Sequence, residues 1–149
     1  YCYAWFFSDG AGGERAIDLY KRTYRPSARH PEPHCGLCVW ALAAETMEQA
    51  QYHFTSRALS RINRDKGILE PLEAPDVAAA APLTVHEQAR LKQFRQDSFV
   101  GTGPEVAARI QELATRVGVD EMAVVTWTHD EDVRRESYTQ LARAFDLKG

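Results

Sequence analysis

The chain has 149 residues, of which 44% are hydrophobic and 26% are charged, so it is long enough to form one domain with a buried core. Its net charge of −3 gives no reason to expect a nucleic-acid partner, and no apolar run approaches the roughly 18 residues of a membrane span. Three cysteines, an odd number, do not form a disulfide framework, so we expect a cytoplasmic protein.

The first predicted element is a strand over residues 1–7, where every side chain is aromatic or apolar. Because the chain begins inside this strand, without an initiator methionine, we expect the start of the gene product to be missing. Tyr3, Trp5 and Phe7 would share one face of the strand. Such aromatic side chains can stack on a flat heterocycle or simply fill the core, and the pattern leaves both interpretations open.

A loop and a short helix follow the first strand. Ser8, Asp9 and Gly10, with the glycines after them, predict the loop. The helix is predicted from Glu14 to about Tyr24, because Pro26 disfavours helical geometry in the residue before it. Its packed face is predicted to consist of Ala16, Leu19, Tyr20 and Thr23.

Residues 35–43, CGLCVWALA, predict a second buried strand that contains a CxxC motif. Together with His30 and His34, Cys35 and Cys38 lie within nine residues, which a small zinc domain could use. On a strand, however, the two cysteines point to opposite faces, and no helix begins here to support a redox motif. The pattern favours packed cysteines and predicts no metal site, with the zinc domain as an alternative that metal analysis can test.

The middle of the chain predicts two helices separated by a long inserted connection. The first helix opens at Glu45 and carries apolar positions as far as Ile62. Helical periodicity is then lost over about residues 63–84, where Gly67, three prolines and an alanine run predict an irregular connection. A capping box from Thr84 to Glu87 opens the second helix, which extends to about residue 95.

Residues 100–130 predict a complete helix–turn–strand unit. Thr102 and Glu105 form a capping-box pattern, and Gly118 is a suitable helix terminator. The apolar helix face consists of Val106, Ile110, Leu113 and Val117. The apolar run over residues 122–125 is typical of a strand in a parallel sheet that helices cover on both faces.

Polar side chains follow this strand at Thr126, Thr128, His129 and Asp130. The carboxyl ends of parallel strands are where open α/β sheets and barrels place their ligand sites. The spacing favours Asp130 as the N-cap of a last helix over residues 131–145. His129 could act as a base, bind a ligand or only line the rim, and the pattern leaves these roles open.

The alternation of strands and helices predicts an α/β fold with three parallel strands and right-handed crossovers. Three strands cannot close a barrel, and an open sheet of this kind exposes an apolar face and unpaired edges. We therefore expect the chain to need the remainder of a larger barrel or a second copy, as a homodimer.

Six segments carry a resemblance to a known family: YCYAWFFSDG, YRPS, PHCGLCVWALAAETMEQA, VGTGPEVAARIQEL, GVDEMAVVTWTHD and THDEDVRRESYTQLARAF. In this order they resemble the C-terminal part of the luciferase-like (bacterial luciferase family) flavin-dependent monooxygenases. The first, third and fifth look like the sixth, seventh and eighth strands of the family's barrel. Gly103-Pro104 departs from the family's usual Pro-Glu, and Cys35 and Cys38 stand where apolar strand residues are usual.

The resemblance implies that residues 1–149 are about strands 6–8 of a TIM (β/α)8 barrel, with the inserted connection at about 63–84 acting as a lid. It implies an oxidoreductase in which reduced FMN, supplied by a reductase, reacts with O2 and oxidises a small organic substrate; the deazaflavin F420 is the alternative cofactor. Trp5 and His129 match family positions and are the predicted cofactor-binding residues, while no catalytic residue is assigned. Without strands 1–5 and the phosphate loop, we expect this chain alone to be inactive.

The alternative function is a non-enzymatic α/β interaction module that dimerises through its open parallel sheet. The sequence upstream of Tyr1 discriminates between the two interpretations, since the enzyme requires five further strand–helix units there.

Overall fold

The computed structural model describes residues 1–7 and 10–147, so the predicted loop residues Ser8 and Asp9 lie outside the described part. Its strands are β1 (Cys2–Ala4), β2 (Gly36–Ala44), β3 (Phe99–Thr102) and β4 (Glu121–Val125). Its α-helices are α1 (Gly13–Thr23), α2 (Met47–Asp65), α3 (Pro75–Ala80), α4 (Val85–Asp97), α5 (Gly103–Val117) and α6 (Glu131–Ala144). None of these helices is both long enough and apolar enough to cross a membrane.

The chain divides into two compact units, which are described separately. Unit 1 consists of residues 1–40 and 108–125. Unit 2 consists of residues 41–107 and the chain from residue 126 onward. Strand β2 and helix α5 each contribute residues to both units.

Unit 1 is built on the first half of β2, which pairs in parallel with β1 and with β4. Cys2 lies opposite Gly36 in the first pairing, and Glu121 lies opposite Gly36 in the second. The core of this unit consists of Ile17, Leu37, Val39, Ile110, Leu113 and Val119. The strand predicted over residues 122–125 is present as β4. Its residues Glu121 and Ala123 are exposed, and within the described residues β2 is its one pairing partner.

Unit 2 is built on the second half of β2, which pairs in parallel with β3. Ala41 lies opposite Phe99, and Ala44 lies opposite Thr102. Helix α2 packs against β3, α3 and α4. The core of this unit includes Leu42, Phe54, Ala58, Ile62, Phe94 and Leu141. The predicted α/β class with parallel strands is confirmed in both units.

Local capping signals fix where several helices begin. Thr84 and Glu87 form both halves of the predicted capping box at the start of α4. Glu105 accepts hydrogen bonds from the backbone N–H of Thr102 at 2.9 Å and from its hydroxyl at 2.7 Å, so the predicted contact at the start of α5 is present. Asp130 caps α6 by accepting a 2.7 Å bond from the N–H of the residue two positions later, which confirms its predicted role.

The predicted strand over residues 1–7 is too long. Strand β1 ends at Ala4, and the next three residues form a turn of 3₁₀ helix, so the predicted common face of Tyr3, Trp5 and Phe7 does not exist. The chain turns because the N–H of Gly10 donates a 2.9 Å hydrogen bond to the carbonyl of Trp5. A sheet pairing at Trp5 is replaced by this local bond.

The predicted packed face of α1 is wrong. Ile17 is the large apolar side chain that the helix buries, at 1% exposed, whereas Leu19 is 54% exposed. Two positions along a helix rotate the side chain by about 200°, so Ile17 and Leu19 point in nearly opposite directions. The buried face is the one that contains Gly13, where an added Cβ would lie 2.7 Å from the Trp5 ring.

Two elements were not predicted. Helix α3 interrupts the inserted connection, with Pro75 at its first turn and the alanine run forming its body, since both are favourable in those positions. Strand β3 has only four residues, and its pairing with Ala41–Ala44 depends on a partner more than fifty positions earlier. A strand of this length carries too little periodicity to be recognised.

Candidate functional site

A network of hydroxyl groups from Thr126, Ser137 and Tyr138 holds the chain where it leaves β4. The hydroxyl of Thr126 donates to the carbonyl of Ala41 at 2.8 Å, and the backbone N–H of Thr126 donates to the phenolic oxygen of Tyr138 at 3.0 Å. Nearby, the hydroxyl of Ser137 accepts the N–H of Ala43 at 2.9 Å. These three bonds satisfy backbone groups beyond the end of the β2–β4 ladder, and they fix the path of the residues that follow.

A buried arginine contacts the first of those following residues. Arg57 on α2 is 5% exposed, and its guanidinium carbon lies 4.5 Å from the centroid of the Trp127 ring, which is a cation–π contact. A guanidinium keeps its positive charge at every physiological pH, so the carboxyl end of β4 carries a fixed cation. The sequence analysis missed Arg57, because a polar residue inside an amphipathic helix pattern gives no sign of being buried.

His53 lies one helical turn before Arg57 and is partly buried. Burial lowers the pKa of His53 below its ordinary value, while the nearby carboxylate of Asp130 opposes that shift. The burial effect is the larger one, and it favours the neutral form of the His53 ring. His53 was also missed at the sequence level, for the same reason as Arg57.

His129, a predicted cofactor-binding residue, is exposed beside this cluster. Its Nδ1 lies 2.8 Å from the backbone carbonyl oxygen of Leu72, which belongs to the inserted connection. The connection is fastened a second time where the hydroxyl of Tyr52 donates to Asp76 at 2.9 Å. The structure therefore brings His129 together with the connection, while its contact with a cofactor stays a prediction.

Trp5, the other predicted cofactor-binding residue, belongs to unit 1 and His129 to unit 2. The indole of Trp5 packs on the loop before α1, and a Cβ added at Gly13 would lie 2.7 Å from the ring. The Tyr3 ring meets it edge-on, with centroids 6.3 Å apart. Trp5 is only partly buried. It therefore has a packing role, and its stacking on a flavin stays a prediction.

Of the CxxC cysteines, Cys38 lies in β2 as predicted, whereas Cys35 lies just before the strand, which begins at Gly36. Cys35 is 2% exposed, and burial, together with the nearby Cys2, raises the pKa of the Cys38 thiol. His34 pairs with Glu121 at 2.9 Å rather than with either cysteine. Among residues 1–7 and 10–147, no three histidine, cysteine or acidic side chains are grouped so that they could hold a metal ion. The zinc-domain alternative gains no support from this arrangement.

A cleft of about 740 Å³ lies in unit 2 between α2 and the inserted connection. Leu59, Val77 and Leu83 contribute apolar wall, and Glu70 and Glu73 contribute carboxylates. The connection therefore forms one wall of an open cleft.

Comparison with known proteins gives distant relatives but no matching family model. The chain is 30% identical over 140 residues to the uncharacterized protein YwcH of Bacillus subtilis, covering 93% of this chain and 42% of that protein. It is 26% identical over 124 residues to a luciferase-like monooxygenase of Escherichia coli strain K12, covering 83% of this chain and 37% of that protein. The chain thus spans about two fifths of the length of these relatives.

The crystal structure of apo-MsnO8 matches 99% of this chain with a TM-score of 0.85 and 27% sequence identity, over 45% of the MsnO8 chain. The fold is therefore an α/β fold of the kind found in that protein. The chain is also a distant relative of proteins named luciferase-like monooxygenase.

Proposed function

We propose that this chain is the C-terminal part of a luciferase-like, flavin-dependent monooxygenase, in which β1, β2 and β4 are about strands 6–8 of a TIM barrel. The observation that carries the proposal is the structural match to MsnO8 over 99% of this chain but only 45% of that protein. The E. coli relative named luciferase-like monooxygenase supports the same class of enzyme.

The sheet of unit 1 supports a barrel segment. Strand β2 is buried except at Cys38, which is partly buried. Strands β1 and β4 flank it, and each has one pairing partner within the described residues. Closing a parallel sheet into a barrel gives every strand two neighbours and covers such exposed residues as Ala123. The remainder of the barrel is thus the partner that these two strands require.

The residues at the carboxyl end of β4 fit a flavin. A reduced flavin is a flat, polar ring system with N–H donors and carbonyl acceptors, and it would supply the electrons that activate O2. Arg57 offers a fixed positive charge nearby, and His129 offers an exposed imidazole. Trp5 belongs to unit 1, and its stacking on the ring is a separate expectation from the family resemblance. The same features fit the ring of F420, so the choice of cofactor is left to measurement.

The role of the chain's own residues would be to hold the ring and exclude water. The hydroxyl network around Thr126 keeps the β4 exit in one conformation, which positions the residues that follow it. The connection fastened by Leu72 and Asp76 would cover the site, as a lid does in enzymes that protect a reactive intermediate.

The test uses the full-length protein that contains this chain. Anaerobic titration with reduced FMN and with reduced F420, followed by absorbance, should show one-to-one binding of one of them. Adding O2 and a panel of small organic compounds should then give oxygen consumption coupled to an oxidised product. A full-length protein that binds neither reduced cofactor contradicts the proposal.

A second candidate is the non-enzymatic module that dimerises through its open sheet. The specific observation in its favour is the exposure of β4, an apolar strand with one described neighbour. This candidate predicts a stable dimer of the 149-residue chain with no cofactor affinity, which sedimentation velocity would detect. We also expect the full-length enzyme to be a homodimer.

A further inference from the structure

The hydrogen bond between His129 and Leu72 fixes the protonation pattern of the imidazole ring. A backbone carbonyl oxygen only accepts hydrogen bonds, so the Nδ1 atom that lies 2.8 Å from it must carry the proton. In the neutral ring, Nε2 is then unprotonated and presents a lone pair. Within the described part of the chain, no side chain or backbone group is hydrogen-bonded to that Nε2 atom.

We infer that His129 has two separate tasks, one on each ring nitrogen. Its Nδ1–H fastens the inserted connection at Leu72, and its Nε2 accepts a hydrogen bond from an N–H or O–H group of the bound ligand. The second task rests on the proposed function, because a reduced flavin ring is a ligand that carries N–H donors.

Hydrogen bonds fix the backbone on both sides of His129, which holds the imidazole ring in place. On one side, Thr126 is anchored by two hydrogen bonds, and on the other, Asp130 is fixed as the N-cap of α6. The backbone on both sides of the imidazole is therefore held without the ring itself being used. The side chain is exposed, so a ligand can reach Nε2 from solvent.

The tautomer can be measured directly in the full-length protein without any cofactor. Nitrogen-15 NMR of the histidine rings at about pH 8, where an ordinary histidine is neutral, distinguishes protonated from unprotonated ring nitrogens. We expect His129 to show a protonated Nδ1 and an unprotonated Nε2. A ring protonated at Nε2 overturns the inference, whatever the enzyme turns out to bind.

Two substitutions separate the two tasks. In His129→Asn the amide nitrogen replaces Nδ1 as donor to Leu72, and nothing replaces Nε2. In His129→Gln the amide group reaches the position of Nε2, and the donor at Nδ1 is lost. His86→Asn, at an exposed histidine on α4, is the control for loss of an imidazole as such.

The variants should behave in opposite ways. His129→Gln should increase the hydrogen-exchange rates of the α3 amides about tenfold, as expected for loss of one fastening worth about 1.4 kcal/mol, while His129→Asn leaves them near the wild-type rates. His129→Asn should weaken the binding of reduced FMN about tenfold, while His129→Gln retains most of it. Equal effects of the two variants on both measurements overturn the inference.

The outcomes distinguish a failure of this inference from a failure of the proposed function. If the wild-type protein binds no reduced FMN, the acceptor role of Nε2 is wrong together with the proposed function. The tautomer and the exchange rates still decide whether His129 fastens Leu72. If FMN binds and neither variant changes its affinity, the proposed function stands and the acceptor role is overturned.

Discussion

Ser137 illustrates how much of this fold depends on single hydroxyl groups. It is 0% exposed and accepts the N–H of Ala43, a backbone donor of β2 that has no other place to bond once it is buried. In the sequence, this serine is an unremarkable polar residue on the last helix. Its role becomes visible only when α6 is placed beside the strand.

Ser137→Ala should therefore lower the free energy of unfolding by about 1–3 kcal/mol, because the N–H of Ala43 would be left buried without an acceptor. Urea denaturation of the protein measures the change. The control is Thr139→Ala on the same helix, where the hydroxyl bonds only to the exposed carbonyl of Arg135, and its effect should stay within about 0.5 kcal/mol. Equal losses in the two variants would contradict this assignment.

Glu87 connects a helix cap to an ion pair. Its carboxylate accepts a bond from Lys66 at 2.9 Å and another from the N–H of Thr84 at 2.7 Å. The hydrogen bond from Lys66 has the largest effect and the bonds from Thr84 the next largest. Together they lower the pKa of Glu87 to about 2. In the unfolded chain, a glutamate titrates at about 4.3.

Because the folded-state pKa is the lower one, the stabilisation from Glu87 is complete above about pH 4.3 and is lost as the pH falls toward about 2. We expect Glu87→Gln to be less stable than wild type at pH 6, with the difference shrinking across that acid range. Thermal unfolding as a function of pH measures it. Glu112→Gln, at an exposed glutamate on α5, is the control. Its difference in stability from wild type should stay constant across the same pH range.

Helix α5 shows what local sequence determines at the scale of an element. It ends at Gly118, whose φ of 67° lies in the left-handed region, as the sequence predicted. The N–H of Val119 returns to the carbonyl of Ala114 at 3.0 Å, which completes the helix terminus. The ammonium group of Lys21 adds a contact from α1 by donating to the carbonyl of Gly118.

Gly118→Ala should lower the free energy of unfolding by about 1–2 kcal/mol, because an L-residue is strained at this φ. The added Cβ would also lie 3.0 Å from the Lys21 nitrogen. The comparison is Gly36→Ala, where φ is outside the left-handed region and the nearest atom would be 3.5 Å from the Cβ. Chemical denaturation should show a larger loss of unfolding free energy for Gly118→Ala than for Gly36→Ala. A larger loss for Gly36→Ala would refute the explanation.

At the scale of the whole molecule, the length of the chain and the pairing of its strands bear on what these 149 residues can bind alone. They correspond to about two fifths of the length of the relatives, and β1 and β4 each have one described neighbour. A ligand site formed by residues from several barrel strands would be incomplete in such a chain.

We therefore expect the isolated 149-residue chain to show no stoichiometric binding of reduced FMN. Isothermal titration under anaerobic conditions measures this, with the full-length protein as the positive control. One-to-one binding by the isolated chain would mean that the site is complete within it, and the barrel-segment proposal would then be wrong. A dimer without cofactor affinity in both proteins would instead favour the interaction module.

Much of the fold was predictable because it depends on residues close together in the chain. The capping box at Thr84, the Thr102–Glu105 contact, the cap at Asp130 and the stop at Gly118 act within four or five positions. The continuous apolar runs likewise predicted β2 and β4, and the alternation of elements predicted parallel pairing.

The prediction failed where a packing contact or a turn overrides the periodic pattern. Trp5 reads as a strand residue, but its carbonyl bonds to Gly10 and its ring packs on Gly13. Leu19 fits a helical apolar face, but packing buries Ile17 instead. In each case a contact that periodicity cannot represent decided the conformation.

By itself, the sequence determined the capped helix starts at Thr84 and Asp130, the helix stop at Gly118, the class of fold and the polar strand end at Thr126–Asp130, because short-range hydrogen bonds and side-chain periodicity encode these features. Only the tertiary structure decided that Arg57 is buried against Trp127 and that His129 bonds to Leu72, fifty-seven positions earlier. Such contacts depend on how the elements pack, and packing brings together residues whose separation in the chain carries no signal.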